Sequence, residues 1–360
     1  MRLTLKLAAV CALVAASSSV PMAARFAPTM LAPALTSVGP LAFGTDGTLY
    51  LADPQAATIF ALDLGAQGAG ATAGTAAVPG LDAKIAAILG TAADTLTITD
   101  LAVHPVSHNS FVSVMRGQGT AAQPALLRID GAGKIDLVSM DTVKFTSVAL
   151  PNPAAVSTTG RGGRTQSVTD MALVNGRLYV AGLSNEEFAS KLWSVAYPFA
   201  KADNGTSIEI YHGNHGQFET RSPVMTFLPY TVSGQQYLVA GYTCTPLVRF
   251  PITGLSAGQK IVGTTMMDLG AGNQPIDMVS YSKGGQDMLL IANSKFGVIK
   301  VPTAQFATLP SITAKVDTAG AFEPITAMPD VQQLDKLDAQ RVVTIALANG
   351  SRSLLVSQLP

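Results

Sequence analysis

Gly47-Thr48-Leu49-Tyr50-Leu51-Ala52, Gly176-Arg177-Leu178-Tyr179-Val180-Ala181 and Gly234-Gln235-Gln236-Tyr237-Leu238-Val239-Ala240 are three copies of one pattern. Each is a turn glycine followed by a short run of β-forming residues. Residues 111–114 (FVSV), 288–292 (MLLIA) and 342–346 (VVTIA) read the same way. Ahead of each lies another apolar run: 41–43, 101–103, 171–173, 224–227, 278–281 and 325–328. After each comes a third: 58–62, 126–129, 192–195, 247–250, 298–301 and 354–357. All are strand-length, bounded by Gly, Pro, Asn and Ser, and none shows a helical period.

Matching positions ahead of the six copies are Pro40, Asp100, Asp170, Met225, Asp277 and Thr326. Repeats of about 40 to 50 residues with several strands each are the signature of propeller blades. The wider intervals carry insertions: an Ala/Gly-rich stretch at 65–80, a short predicted helix at 81–89 (LDAKIAAIL) and a Pro/Gly/Thr-rich loop at 150–167. Asn175-Gly176 and Asn349-Gly350 fall between adjacent strands, where a tight hairpin needs positive φ. The expected fold is therefore all-β, a six-bladed β-propeller, with seven blades as the runner-up. The last copy ends at its third strand, so residues 25–37 are expected to supply the outer strand that closes the last blade. Such closure hides an edge open to aggregation.

Arg2 and Lys6, the apolar run 7–16 and the small residues Ser17 to Ser19, Ala23 and Ala24 have the layout of a secretory signal peptide. The run is short of the roughly 20 residues of a membrane-spanning helix. The expected organisation is a signal peptide at 1–24 and a single propeller domain at 25–360. The expected location is outside the cytoplasm, periplasmic or extracellular, and not integral to a membrane. Removing the leader also removes Cys11 and leaves Cys244 as a single thiol that has no intramolecular disulfide partner. The chain carries 23 basic and 23 acidic residues and 48% hydrophobic residues. The balance argues against a nucleic-acid partner, because phosphate neutralisation needs a basic excess. The apolar content argues against disorder.

The G-x-L-Y-[LV]-A motif, followed once by Asp53, resembles the second strand of NHL-type and gluconolactonase-like propellers and recurs over 38–357. Within that broad class members bind proteins, RNA or sugars, and some are metal-dependent lactonases or esterases. The lactonase-like members use a Glu–Asn–Asp type metal set at inner-strand starts. Here those starts offer Asp100, Asp170 and Asp277, with Pro40, Met225 and Thr326 at the others, which departs from that pattern.

Blade bookkeeping sorts the polar residues by rim. Asp100, Asp170 and Asp277 are expected to ring one mouth of the central channel. His212, His215, Glu219 and Arg221, then Arg161 and Arg164, then Asp53, Glu186, Glu187 and Cys244 fall on that same face, and His104 and His108 on the opposite one. Two readings stand for each group. The aspartates either accept backbone hydrogen bonds at strand ends or hold a hard cation such as Ca²⁺. His212-Gly213-Asn214-His215 is either a hydrogen-bonded turn or, joined by Cys244 and with Met225 as a fourth donor, a soft transition-metal site. Cys244 is otherwise a buried small hydrophobe. No haem, dinucleotide, P-loop or nucleophile-elbow signature is present. Two functions follow. One is a binding protein whose polar rim takes a small molecule, a glycan or a protein partner. The other is a metal-dependent hydrolase or a metal-site redox protein using the same rim.

Overall fold

The computed structural model describes residues 32–157, 163–244 and 246–360. Six small sheets, antiparallel but for one parallel edge pairing in the third, are arranged around a central channel, and each begins with an inner strand at that channel. The first sheet runs Leu41–Phe43, Leu49–Asp53, Thr58–Asp63 and Lys144–Ala149. The second runs Leu96–Val103, Ser110–Arg116, Gln123–Ile129 and Ile135–Leu137. The third begins at Asp170–Val174 and ends at Thr206–His212, where Gln217–Glu219 and Lys260–Val262 add short edge strands. The fourth, fifth and sixth begin at Val224–Val232, Pro275–Lys283 and Val331–Lys336. The chain is thus a six-bladed β-propeller.

Alternation of side chains along each strand places one row toward each neighbouring blade, so every junction is an apolar seam. Tyr50, Ala52 and Ile59 of blade one meet Met171, Leu178 and Trp193 of blade three. On the other side, Leu41, Leu51 and Leu62 of blade one meet Ala102, Phe111 and Leu126 of blade two. Blades three and four, four and five, and five and six pack in the same manner. The sixth seam joins Val343, Ile345 and Leu354 of blade six to Val112, Val114 and Leu127 of blade two. The order around the wheel is therefore two, one, three, four, five, six. The chain steps backward once, from blade one to blade two, then returns to lay Lys144–Ala149 on the outer edge of blade one.

That detour corrects the expected closure. Blade six has three strands, Val331–Lys336, Arg341–Ala348 and Ser351–Gln358. Its outer edge is met by Val78, whose N–H and C=O exchange hydrogen bonds with Leu354 at 2.8 and 3.0 Å. The helix Leu81–Leu89 then wedges Leu81, Ile85 and Leu89 into the seam between blades six and two. The Asp82 carboxylate accepts from Arg352 N and from the Ser351 hydroxyl, fixing the helix to the last hairpin. Residues 32–37 form no strand, and 25–31, with the leader expected at 1–24, lie outside the described residues. Thr36 and Ser37 are instead held by the buried Asp53 carboxylate.

The sixth inner strand is also displaced from the expected 325–328. Glu323–Pro324 pairs with Gly297–Pro302 as the outer strand of blade five, and Pro324 and Pro329 flank the turn between. The helix at 81–89 and the hairpin turns at Asn175-Gly176 (φ 50° and 75°) and Asn349-Gly350 (φ 52° and 78°) are as the sequence implies. Among the described residues no helix is long and apolar enough to cross a membrane.

Candidate functional site

The three aspartates expected at the channel mouth lie within the central channel, in a cavity that reaches His108 on the opposite rim. They share this cavity, of about 540 Å³, with a fourth, Asp335. β-Bulges at Ile98/Asp100 and Pro275/Asp277 turn the strand just where the acid stands, which re-aims its side chain. Each carboxylate is committed to backbone. Asp100 accepts from Leu101 N on its own strand and from Leu41 N of blade one, at 2.8 and 2.6 Å. Asp170 accepts from Met171 N and from Phe227 N of blade four, at 2.7 and 2.6 Å. Asp277 takes Met278 N and Leu334 N of blade six, and Asp335 takes Lys336 N and Val103 N of blade two. Four acids thus tie blades two to one, three to four, five to six and six to two.

Burial pushes all four carboxyls up, and the charges of neighbouring acids add to it for Asp100, Asp170 and Asp277. Asp170 rises to about 7 and Asp335 to about 6, while Asp100 and Asp277 stand well above the ordinary carboxylate range. The oxygens do not converge on one point: no set of three of these acids brings ligand atoms within 4.8 Å among the described residues. This is the strand-capping arrangement of the two that the sequence left open.

The other candidates do converge. One imidazole nitrogen of His212, one of His215 and Cys244 Sγ lie within 4.8 Å of one another. Three elements deliver them. Thr206–His212 ends on His212; Gly213 to Gly216 reverse the chain, with Gly216 N donating to His212 O at 2.8 Å. That turn stacks the two rings with centroids 3.9 Å apart. Cys244 follows the second strand of blade four, Gln235–Tyr242. Its backbone stands at φ 60°, a left-handed conformation that costs a non-glycine residue on the order of 1 kcal/mol and clusters at functional sites. Gly213 is required here, because a Cβ would meet Val316 Cγ2 at 2.7 Å and Asp268 Oδ2 at 3.1 Å. A segment from the excursion between blade-five strands covers the turn from outside, with Val316 N donating to Gly213 O at 3.0 Å.

Glu219 organises the pair. Its two oxygens accept from His212 Nδ1 at 3.0 Å and from His215 Nδ1 at 2.6 Å, and Ser222 Oγ also donates to it. Burial alone would raise the Glu219 carboxyl, but these three hydrogen bonds outweigh it and hold it down at about 2. An Nδ1–H donated to the carboxylate belongs to the tautomer whose Nε2 is the acceptor, so in the neutral form each ring offers Nε2 as a donor atom for a metal. His212 is 1% exposed, and its Nε2 has no hydrogen-bond partner among the described residues. A buried acceptor left this way is costly unless something fills it. Carboxylate, imidazole and an open nitrogen in line is the outer shell that fixes tautomer and ring orientation in metal sites.

The remaining rim residues are mostly structural. Asp53 anchors residues 36 and 37, and Glu186 is paired with the buried Lys191 at 2.6 Å. Arg164 donates to the Ala154 and Gln55 carbonyls, while Arg161 lies outside the described residues. His104 and His108 sit on the opposite rim and are tied to backbone at Ser107 N and Leu337 O. Sequence reasoning missed Asp335, which stands in a polar strand, and it placed Glu219 on the rim without its bridging role. Met225 occupies the bulge between Val224 and Thr226, opposite the strand end that leads to Cys244.

No protein-family model matches the chain, and no curated protein matches it. Solved structures resemble it at the level of architecture. The Swd1 β-propeller domain of Myceliophteria thermophila is 10% identical with a TM-score of 0.37, over 88% of this chain and 82% of that one. The aldose sugar dehydrogenase of Streptomyces coelicolor in its PQQ-bound form is 12% identical, TM-score 0.34, over 93% and 97%. A streptogramin B lyase is 10% identical, TM-score 0.32, over 91% and 96%. A candidate gluconolactonase stands at 10% and 0.32, over 94% and 96%. The names these neighbours carry span unrelated activities, so function is left to the site itself.

Proposed function

We propose that this chain is an exported propeller protein that binds one transition-metal ion on its top rim through His212, His215 and Cys244. One observation carries the reading: three soft or borderline donors meet within 4.8 Å while Glu219 holds both imidazoles with Nε2 free. Imidazole and thiolate suit zinc and copper rather than calcium, which prefers six to eight oxygens. A zinc ion takes such donors at about 2.0 Å from nitrogen and about 2.3 Å from sulfur. The channel acids are set apart from this role, since no three of them bring ligand atoms within 4.8 Å of one another among the described residues. Export is part of the proposal on the strength of the N-terminal sequence. A hydrolytic reading through Asp100, Asp170 and Asp277 has no support in their spacing. The rim around the metal is where a small molecule, glycan or protein partner would be met.

Titration of metal-stripped, reduced protein with Zn²⁺ and with copper against a competing chelator tests this. One equivalent should bind, His215→Ala and Cys244→Ser should each abolish tight binding, and Asp170→Asn should leave it intact. Binding that ignores both ligand variants would remove the site.

A further inference from the structure

Structural zinc sites are closed by four protein ligands, whereas sites that act on a substrate keep three and leave a position open. Here the described residues bring together three His, Cys, Asp or Glu ligand atoms and no fourth. Glu219, the nearest carboxylate, is occupied on both oxygens by the histidines it orients. The site is also asymmetric in access. The His212 side chain is 1% exposed, that of His215 is 43% exposed, and Cys244 is half-buried. A metal held by these atoms is walled on the His212 side and faces solvent on the His215 side. Beyond Glu219 the chain carries Arg221 into the wall of a cavity of about 610 Å³, shared with Ser184 and Glu187. Ser190 N donates to Thr220 O at 2.9 Å, so this wall is stitched to the third strand of blade three.

Resting on the metal reading above, we infer that the bound ion keeps one coordination position for an exogenous small anion, of the carboxylate or azide class, entering from the His215 side. Water fills the position otherwise. The Cys244 thiol gives up its proton when the metal binds, and no electron transfer is involved. Such a centre is a docking point and Lewis acid rather than a staple for the fold. The competing arrangement is internal: the Met225 thioether, carried by the bulge at the edge of blade four, swings in as the fourth donor and shuts the site.

Cobalt(II)-loaded protein titrated with sodium azide distinguishes them. The ligand-field bands should shift in a saturable way with azide, return on dialysis, and do so equally in Met225→Leu. Bands that stay put in the wild-type protein overturn the open position, and if they move only in Met225→Leu the thioether is the occupant. Cobalt, zinc and copper all failing to bind would instead bring down the metal site itself, a result that is read separately from the azide titration.

Discussion

Glu219 grips His212 and His215 by the same atom, Nδ1, through its two separate oxygens. That symmetry matters because an amide cannot reproduce it. Glutamine at 219 would offer one acceptor and one donor, so one imidazole would have to turn or change tautomer, placing a proton on the nitrogen meant for the metal. Outer-shell partners of this kind typically govern affinity by 10- to 100-fold. Glu219→Gln should therefore weaken zinc binding by about that factor while the far-ultraviolet circular dichroism stays unchanged. An affinity equal to wild type would show that the carboxylate serves the turn alone. The H-x-x-H spacing and the rim assignment of Cys244 were legible in the sequence, since strand alternation fixes which end of a blade each loop occupies. The Glu219 bridge was not, because spacing along a chain says nothing of which nitrogen a side chain will meet.

At the scale of elements, every apolar triplet but one became the strand that its composition implies, and the helix at 81–89 has the bounds its sequence suggests. The exception is 325–328. Its apolar side chains lie between two prolines, while the true inner strand, Val331–Lys336, reads as polar because alternate residues face a channel rather than a neighbouring sheet. Closure was misplaced for a related reason. A single residue, Val78, completes the edge of blade six with two hydrogen bonds, and one residue leaves no periodic trace. The Ala/Gly-rich stretch around it reads as an insertion, yet it carries the chain from blade one to the far side of the seam. Asp100, Asp170 and Asp277 stand where the repeat predicts, but the same register that aligns them also presents each to a backbone N–H of the next blade.

For the molecule as a whole, the channel sets an unusual pH response. Four carboxyls are buried around one cavity, and repulsion adds to burial for Asp100, Asp170 and Asp277, so the folded state holds protons that the unfolded chain has lost. Asp170 and Asp335 titrate near 7 and 6 when folded, and burial holds Asp100 and Asp277 well above the ordinary value of 3.8. Where the native state binds more protons, stability falls as pH rises. The melting temperature of metal-free protein should accordingly climb as pH is lowered from about 9 to about 6.5, a window above the ordinary histidine and carboxylate titrations. Asp277→Asn should flatten the slope. A melting temperature that stays flat over that window would mean the four acids are ionised at no cost.

X-ray absorption at the metal edge of zinc-loaded protein bears most directly on what the rim is for. The account predicts a first shell of two imidazole nitrogens and one water oxygen at about 2.0 Å and one sulfur at about 2.3 Å, the sulfur vanishing in Cys244→Ser. A shell of oxygen and nitrogen alone, unchanged by that substitution, would contradict it.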